Sequence, residues 1–116
     1  MDSPDGYARN GDVEIAYWDR GRGPNTVLLI MGVLYRSAFW RKEVVEALAK
    51  DFRVVLFDNR GTGYSTKPVE ALTAELWAAD ALAVLTPLPL ADTRGAFIGS
   101  VTACPHGLLA GVLGAA

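Results

Sequence analysis

Apolar positions along the chain fall into one alternating segment and two unbroken runs, and each predicts a different kind of strand. Val13-Glu14-Ile15-Ala16-Tyr17 alternates in side-chain character, as a half-exposed strand does, and Gly21-Arg22-Gly23-Pro24-Asn25 reads as the turn that follows. Thr26 to Met31 carries Val-Leu-Leu-Ile without a polar break, which predicts a strand buried on both faces, as in a parallel sheet covered by helices. Gly32 ends that run. Ser37 can cap the next helix, in which Trp40, Val44, Val45 and Leu48 form an apolar stripe up to Asp51. Arg53 to Phe57, with Val-Val-Leu-Phe at its centre, predicts a second buried strand, and Asp58–Ser65 the turn after it.

Pro68 punctuates the chain, and Thr73, three residues before Leu76, marks a helix start without the acidic partner of a capping box. Leu72, Leu76, Ala79, Ala83 and either Leu82 or Leu85 are expected on its buried side, with Trp77 and Asp80 elsewhere on the turn. Pro87 and Pro89 stop the helix, and Ala96-Phe97-Ile98 is a short strand entering Gly99. Strand, helix, strand, helix, strand after an antiparallel beginning predicts an α/β fold: a mostly parallel sheet with helices on both faces. Beyond Gly99 the breakers Pro105, Gly107, Gly111 and Gly114 accumulate, so residues 105–116 are expected to fray.

Composition narrows the function classes. The 116 residues are 51% hydrophobic and 21% charged, which suits one small folded domain and not a disordered chain. A net charge of -2, with the arginines and lysines dispersed, argues against a nucleic-acid partner. The uncharged stretch from Gly95 to Ala116 is long enough for a bilayer, but Ser100, Thr102, Pro105, His106 and five glycines argue against a membrane span. Cys104 is the sole cysteine, so no internal disulfide forms. Met-Asp-Ser-Pro-Asp-Gly at the start has no basic and apolar leader pattern, and the expected location is cytoplasmic. One Cys and one His make no closed zinc site, so no metal is expected. Gly61-x-Gly63 lacks the third glycine of a dinucleotide loop, since Thr66 stands there, so no cofactor is expected either.

Val27-Leu28-Leu29-Ile30-Met31-Gly32, then Trp40, then Phe52 through Phe57 and Asp58-Asn59-Arg60-Gly61-Thr62-Gly63-Tyr64-Ser65 together resemble the amino-terminal half of an α/β-hydrolase. The likeness extends over about residues 7–104 and is to the esterase and lipase-like branch with Met-Gly in place of His-Gly after the early buried strand. It implies an oxyanion hole made by the backbone N–H of Val33 and that of Thr102. It also implies a nucleophile elbow at Gly99-Ser100-Val101-Thr102-Ala103, where Val101 occupies the serine position and Ala103 a glycine position.

Ser100 is the nearest hydroxyl, but an offset of one residue turns it elsewhere, and its expected role is a turn hydrogen bond. Cys104 and His106 are two positions apart, which does not bring them face to face on a helix, so a packed thiol and an ordinary polar histidine are expected. Asp58 is expected to brace the Arg60–Ser65 turn and Asp80 to serve structure on its helix. The resemblance therefore implies a truncated α/β-hydrolase domain over residues 1–116 of carboxylic-ester hydrolase ancestry, with a small ester as substrate of any active form. It is expected to be inactive because Val101 holds the nucleophile position and the family's later Asp and His are absent. The alternative is a small interaction module that self-associates through its sheet and helix surface.

Overall fold

A computed structural model describes residues 3–21, 26–30, 38, 40–69, 73–85 and 95–99. Its elements are β1 (Gly6–Asn10), β2 (Val13–Gly21), β3 (Thr26–Ile30), α1 (Lys42–Ala49), β4 (Arg53–Phe57), α2 (Ala74–Leu85) and β5 (Gly95–Gly99). The strands form one sheet in the order β1-β2-β4-β3-β5. β3 pairs in parallel with both β4 and β5, while β2 pairs antiparallel with β1 and β4. The sheet is thus mixed, and its three buried apolar strands make the parallel part.

Alternation along those strands builds two cores. Leu28, Ile30, Val55 and Phe57 point to one face with Val13 and Ile15, where Trp77, Ala78, Ala81 and Val84 of α2 cover them. Val27, Leu29, Val54 and Leu56 point to the other face with Ala16 and Trp18, under Trp40, Val45, Leu48 and Ala49. Helices on both faces are what the unbroken runs require, because neither side of β3 or β4 can meet water. Each fully buried side chain of this size contributes about 1.5–3 kcal/mol relative to an exposed one. Trp40 and Trp77 each bury an indole N–H without a hydrogen-bond partner among the described residues, a local cost outweighed by the ring area removed from water.

Several boundaries differ from the sequence pattern. β1 pairs with β2 through a hairpin that no apolar run announces, and β2 continues past Tyr17 to Gly21, which is strand and not turn. α1 starts at Lys42 behind Arg41, with no side-chain cap, so the expected capping by Ser37 is not how this helix begins; Ser37 itself lies outside the described residues. Val44 is exposed, and the stripe reduces to Trp40, Val45 and Leu48. Thr73 does cap α2, its Oγ1 accepting the Leu76 N–H at 3.2 Å.

The buried face of α2 is the main correction. Trp77, Ala78, Asp80, Ala81 and Val84 face inward, and Ala83 and Leu85 pack partly buried against the same core as expected. Leu76 and Ala79 are only half-buried, and Leu72 lies outside the described residues. Ala and Leu surround this helix on every side, so its own periodicity does not choose a face. A charged partner in the β4–α2 loop does.

Candidate active site

Strand register locates the site. Ile30 lies beside Phe57 on one side and Gly99 on the other, so β4, β3 and β5 end level with one another. Their order reverses about β3, with α1 returning on one face and α2 on the other. In open α/β sheets such a reversal leaves a crevice outside the carboxyl ends, where ligands bind. Val33 follows Ile30 by three residues and Thr102 follows Gly99 by three. Neighbouring strands stand about 4.8 Å apart, and three residues reach at most about 11 Å. The strand ends that precede Val33 and Thr102 in sequence, Ile30 and Gly99, are therefore paired positions on the same edge. Val33, Ser100, Val101, Thr102, Ala103, Cys104 and His106 themselves fall outside the described residues.

The turn that follows β4 at that edge is held by a network of hydrogen bonds. The Tyr64 N–H donates to Asp58 Oδ2 at 2.9 Å, and the Ser65 hydroxyl donates to the Asp58 carbonyl at 2.6 Å. Ser65 Oγ in turn accepts the Ala16 N–H at 2.9 Å. The Thr62 hydroxyl closes on the Asn59 carbonyl at 2.7 Å, and Gly61 N–H on the Thr66 carbonyl at 2.8 Å. Thr66 then pairs with Glu14 twice, donating its N–H to the Glu14 carbonyl and accepting the Glu14 N–H on Oγ1. The loop is consequently stitched to β2 as an extra layer. Asp58 braces the turn, as its position implies.

Beneath that loop lies a buried ion pair. Arg60 donates Nε to Asp80 Oδ2 at 2.7 Å and Nη2 to Oδ1 at 2.9 Å, with side chains only 6% and 1% exposed. Asn10 Nδ2 donates to the same Oδ1 at 2.8 Å. One carboxylate thus ties the β1–β2 hairpin, the β4 loop and α2 together. Sequence reasoning assigned Asp80 a structural role but missed its burial and both partners. The available signal was a single charge in the otherwise apolar stretch Leu76–Leu85, since a carboxylate there needs a buried cation.

Other charged groups stand apart from the crevice. Arg53 makes a bidentate pair with Asp19 at the opposite edge, and that hydrogen bonding raises its guanidinium pKa above the ordinary arginine value. A cavity of about 510 Å³ runs along α1, lined by Trp40, Val45, Ala49 and Leu56 with Arg20 and Lys42. Among the described residues none of β3 or of the Asp58–Ser65 turn lines it. Among the described residues no three His, Cys, Asp or Glu side chains gather as a metal site. No described helix is long and apolar enough to cross a membrane.

A mixed five-stranded sheet whose β4, β3 and β5 run parallel and end level, with helices on both faces, defines a doubly covered α/β scaffold. The alpha/beta hydrolase fold family model matches residues 25–93, and the chain belongs to that family. A Synechocystis sp. protein provisionally named a non-heme chloroperoxidase is 32% identical over 88 residues, which is 76% of this chain and 32% of that protein. An Azorhizobium caulinodans protein provisionally named a carbamate hydrolase is 33% identical over 97 residues, 82% of this chain and 36% of its own length. The chain thus spans about a third of these relatives. Among solved structures, the enol-lactonase from Burkholderia xenovorans superposes with a TM-score of 0.69 at 28% identity, covering 78% of this chain and 36% of that one. An N-acyl homoserine lactone degrading enzyme gives 0.70 at 26% identity, covering 78% and 34%.

Proposed function

We propose that this chain carries the oxyanion-binding side of an acyl hydrolase for carboxylic esters or lactones, and that the 116-residue polypeptide does not itself turn such substrates over. The observation that carries the reading is the level ending of β4, β3 and β5, with Val33 following β3 and Thr102 following β5 in sequence. Relatives that act on lactones, which are internal esters, support the substrate class. Two backbone N–H groups aimed at one carbonyl oxygen stabilise the negative charge that develops on it, each by roughly 2.7–4 kcal/mol by analogy with an oxyanion donor in another fold. Val101 at the elbow position offers no oxygen or sulfur to attack the carbonyl carbon. Charge stabilisation without a nucleophile leaves the acyl bond intact.

Short activated esters test this. The expected result is no acylation burst from the wild-type chain, with Ser100→Ala and Val33→Pro giving the same background rate. Circular dichroism accompanies Val33→Pro, since proline removes the N–H and also restricts the loop. A wild-type burst that vanishes in Ser100→Ala would make Ser100 the nucleophile and sink the reading.

A second reading rests on β5. Its outer edge has no strand partner among the described residues, and an open edge is a template for another strand. Self-association through that edge gives a sedimentation coefficient that rises across the micromolar range. A concentration-independent monomer removes this reading and leaves the first untouched.

A further inference from the structure

We propose that Asn10–Gly11 is a self-modification site, at which the Asn10 amide cyclises and hydrolyses and the resulting carboxylate disables the clamp on α2. Asn10 is the only asparagine followed by glycine; Asn25 precedes Thr26 and Asn59 precedes Arg60. Asn10 and Val13 pair as the last rung of the β1–β2 hairpin, leaving Gly11 and Asp12 as an exposed two-residue loop. Gly11 has φ +62°, and nothing lies within 4 Å of the place a Cβ would occupy. Its N–H has no hydrogen-bond partner among the described residues. The backbone nitrogen next to the Asn10 side chain is therefore open to base and shielded by no side chain.

The chemistry closes without an oxidant or reductant. Base removes the Gly11 amide proton, and the nitrogen attacks Asn10 Cγ. A Cγ–N bond forms, the Cγ–Nδ2 bond breaks, and the side-chain nitrogen leaves as ammonia, taking up a proton. Water then opens the five-membered imide at either carbonyl, giving aspartate or isoaspartate at position 10.

Asp80 gives this reaction a structural consequence. Asn10 Nδ2 now supplies a donor to Asp80 Oδ1 at 2.8 Å, while Arg60 occupies both Asp80 oxygens. An ionised carboxylate has no donor. Conversion therefore sets a second carboxylate, at part-buried position 10, beside the buried Asp80 carboxylate and against one guanidinium. Isoaspartate additionally inserts a methylene into the backbone at the Asn10–Val13 rung. The same hydrogen bond restrains Cγ while α2 is docked. Loosening of α2 speeds the reaction, and the reaction loosens α2.

Peptide mass spectrometry of the full chain in mildly alkaline buffer tests the first part. The expected mass gain maps to the peptide containing Asn10. It accumulates about tenfold more slowly in native buffer than in urea, the factor expected for releasing a hydrogen bond to a charged group. Asp80→Ala in native buffer is expected to fall between these two rates. Urea midpoints of Asn10→Asp and Asn10→Ser test the second part without waiting for the reaction. Serine keeps a donor, so Asn10→Asp is expected to be the less stable of the two. Absence of conversion at Asn10, equal conversion at Asn25 or Asn59, or equal midpoints for the two variants overturns the proposal.

Discussion

Asp80→Ala is expected to remove about 3–5 kcal/mol of folding free energy, because it leaves the Arg60 guanidinium buried without its carboxylate. Arg60 is 6% exposed and aimed at both Asp80 oxygens, so water does not reach it without local opening. Against a total stability of about 5–15 kcal/mol for a domain, the loss is large enough to leave the chain partly unfolded. The discriminating comparison is the double variant Arg60→Met with Asp80→Leu. Replacing a whole buried pair by apolar side chains is often neutral or stabilising, so the double is expected to be more stable than Asp80→Ala. Asn10 loses its acceptor in both, but it is only part-buried and water can serve it. Urea unfolding followed by tryptophan fluorescence gives the three midpoints. A double variant as unstable as the single, within about 0.5 kcal/mol, would show that the charge pair is not what holds α2 to the loop.

Gly63→Ala is expected to cost about 2–5 kcal/mol, whereas Gly61→Ala two residues earlier costs only about 1–2. Both glycines have positive φ, +47° and +83°, so each substitution carries the left-handed backbone penalty. They differ in space. A Cβ at Gly63 collides with the Asp58 carboxylate, while one at Gly61 meets nothing within 4 Å. Asp58 is 1% exposed and accepts the Tyr64 N–H, so it cannot swing out into water to make room. Gly63→Ala therefore also breaks the brace of the turn. Equal costs at the two positions would mean that Asp58 yields freely and that its bracing role is overstated. The loss of the Tyr64 amide's protection from hydrogen exchange in Gly63→Ala alone is the matching structural readout.

The parallel part of the sheet was legible because burial on both sides leaves no room for polar residues. Arg53–Phe57 was bounded correctly, and Thr26–Met31 agrees with the observed strand through Ile30, Met31 lying outside the described residues. The turn at Asp58–Ser65 was legible for the complementary reason, since its glycines, threonine and serine are demanded by local backbone geometry. β1 was not legible. Gly6-Tyr7-Ala8-Arg9-Asn10 places one buried residue, Ala8, between exposed or half-buried ones, and such a segment becomes a strand only when β2 offers it a register.

The site divides in the same way. The family resemblance implied backbone donors at Val33 and Thr102 and a valine at the elbow, and these positions lie outside the described residues. The tertiary structure supplied the level ends of β3 and β5, since their relative height is a matter of hydrogen-bond register between segments some seventy residues apart. It also decided the buried face of α2. A helix apolar on nearly every side has no preferred orientation of its own. Only the requirement that the Arg60 guanidinium and the Asp80 carboxylate leave water together turned Trp77 and Asp80 inward. Local order in this protein follows from which residues tolerate burial; the choice among equivalent packings follows from where one buried charge finds its partner.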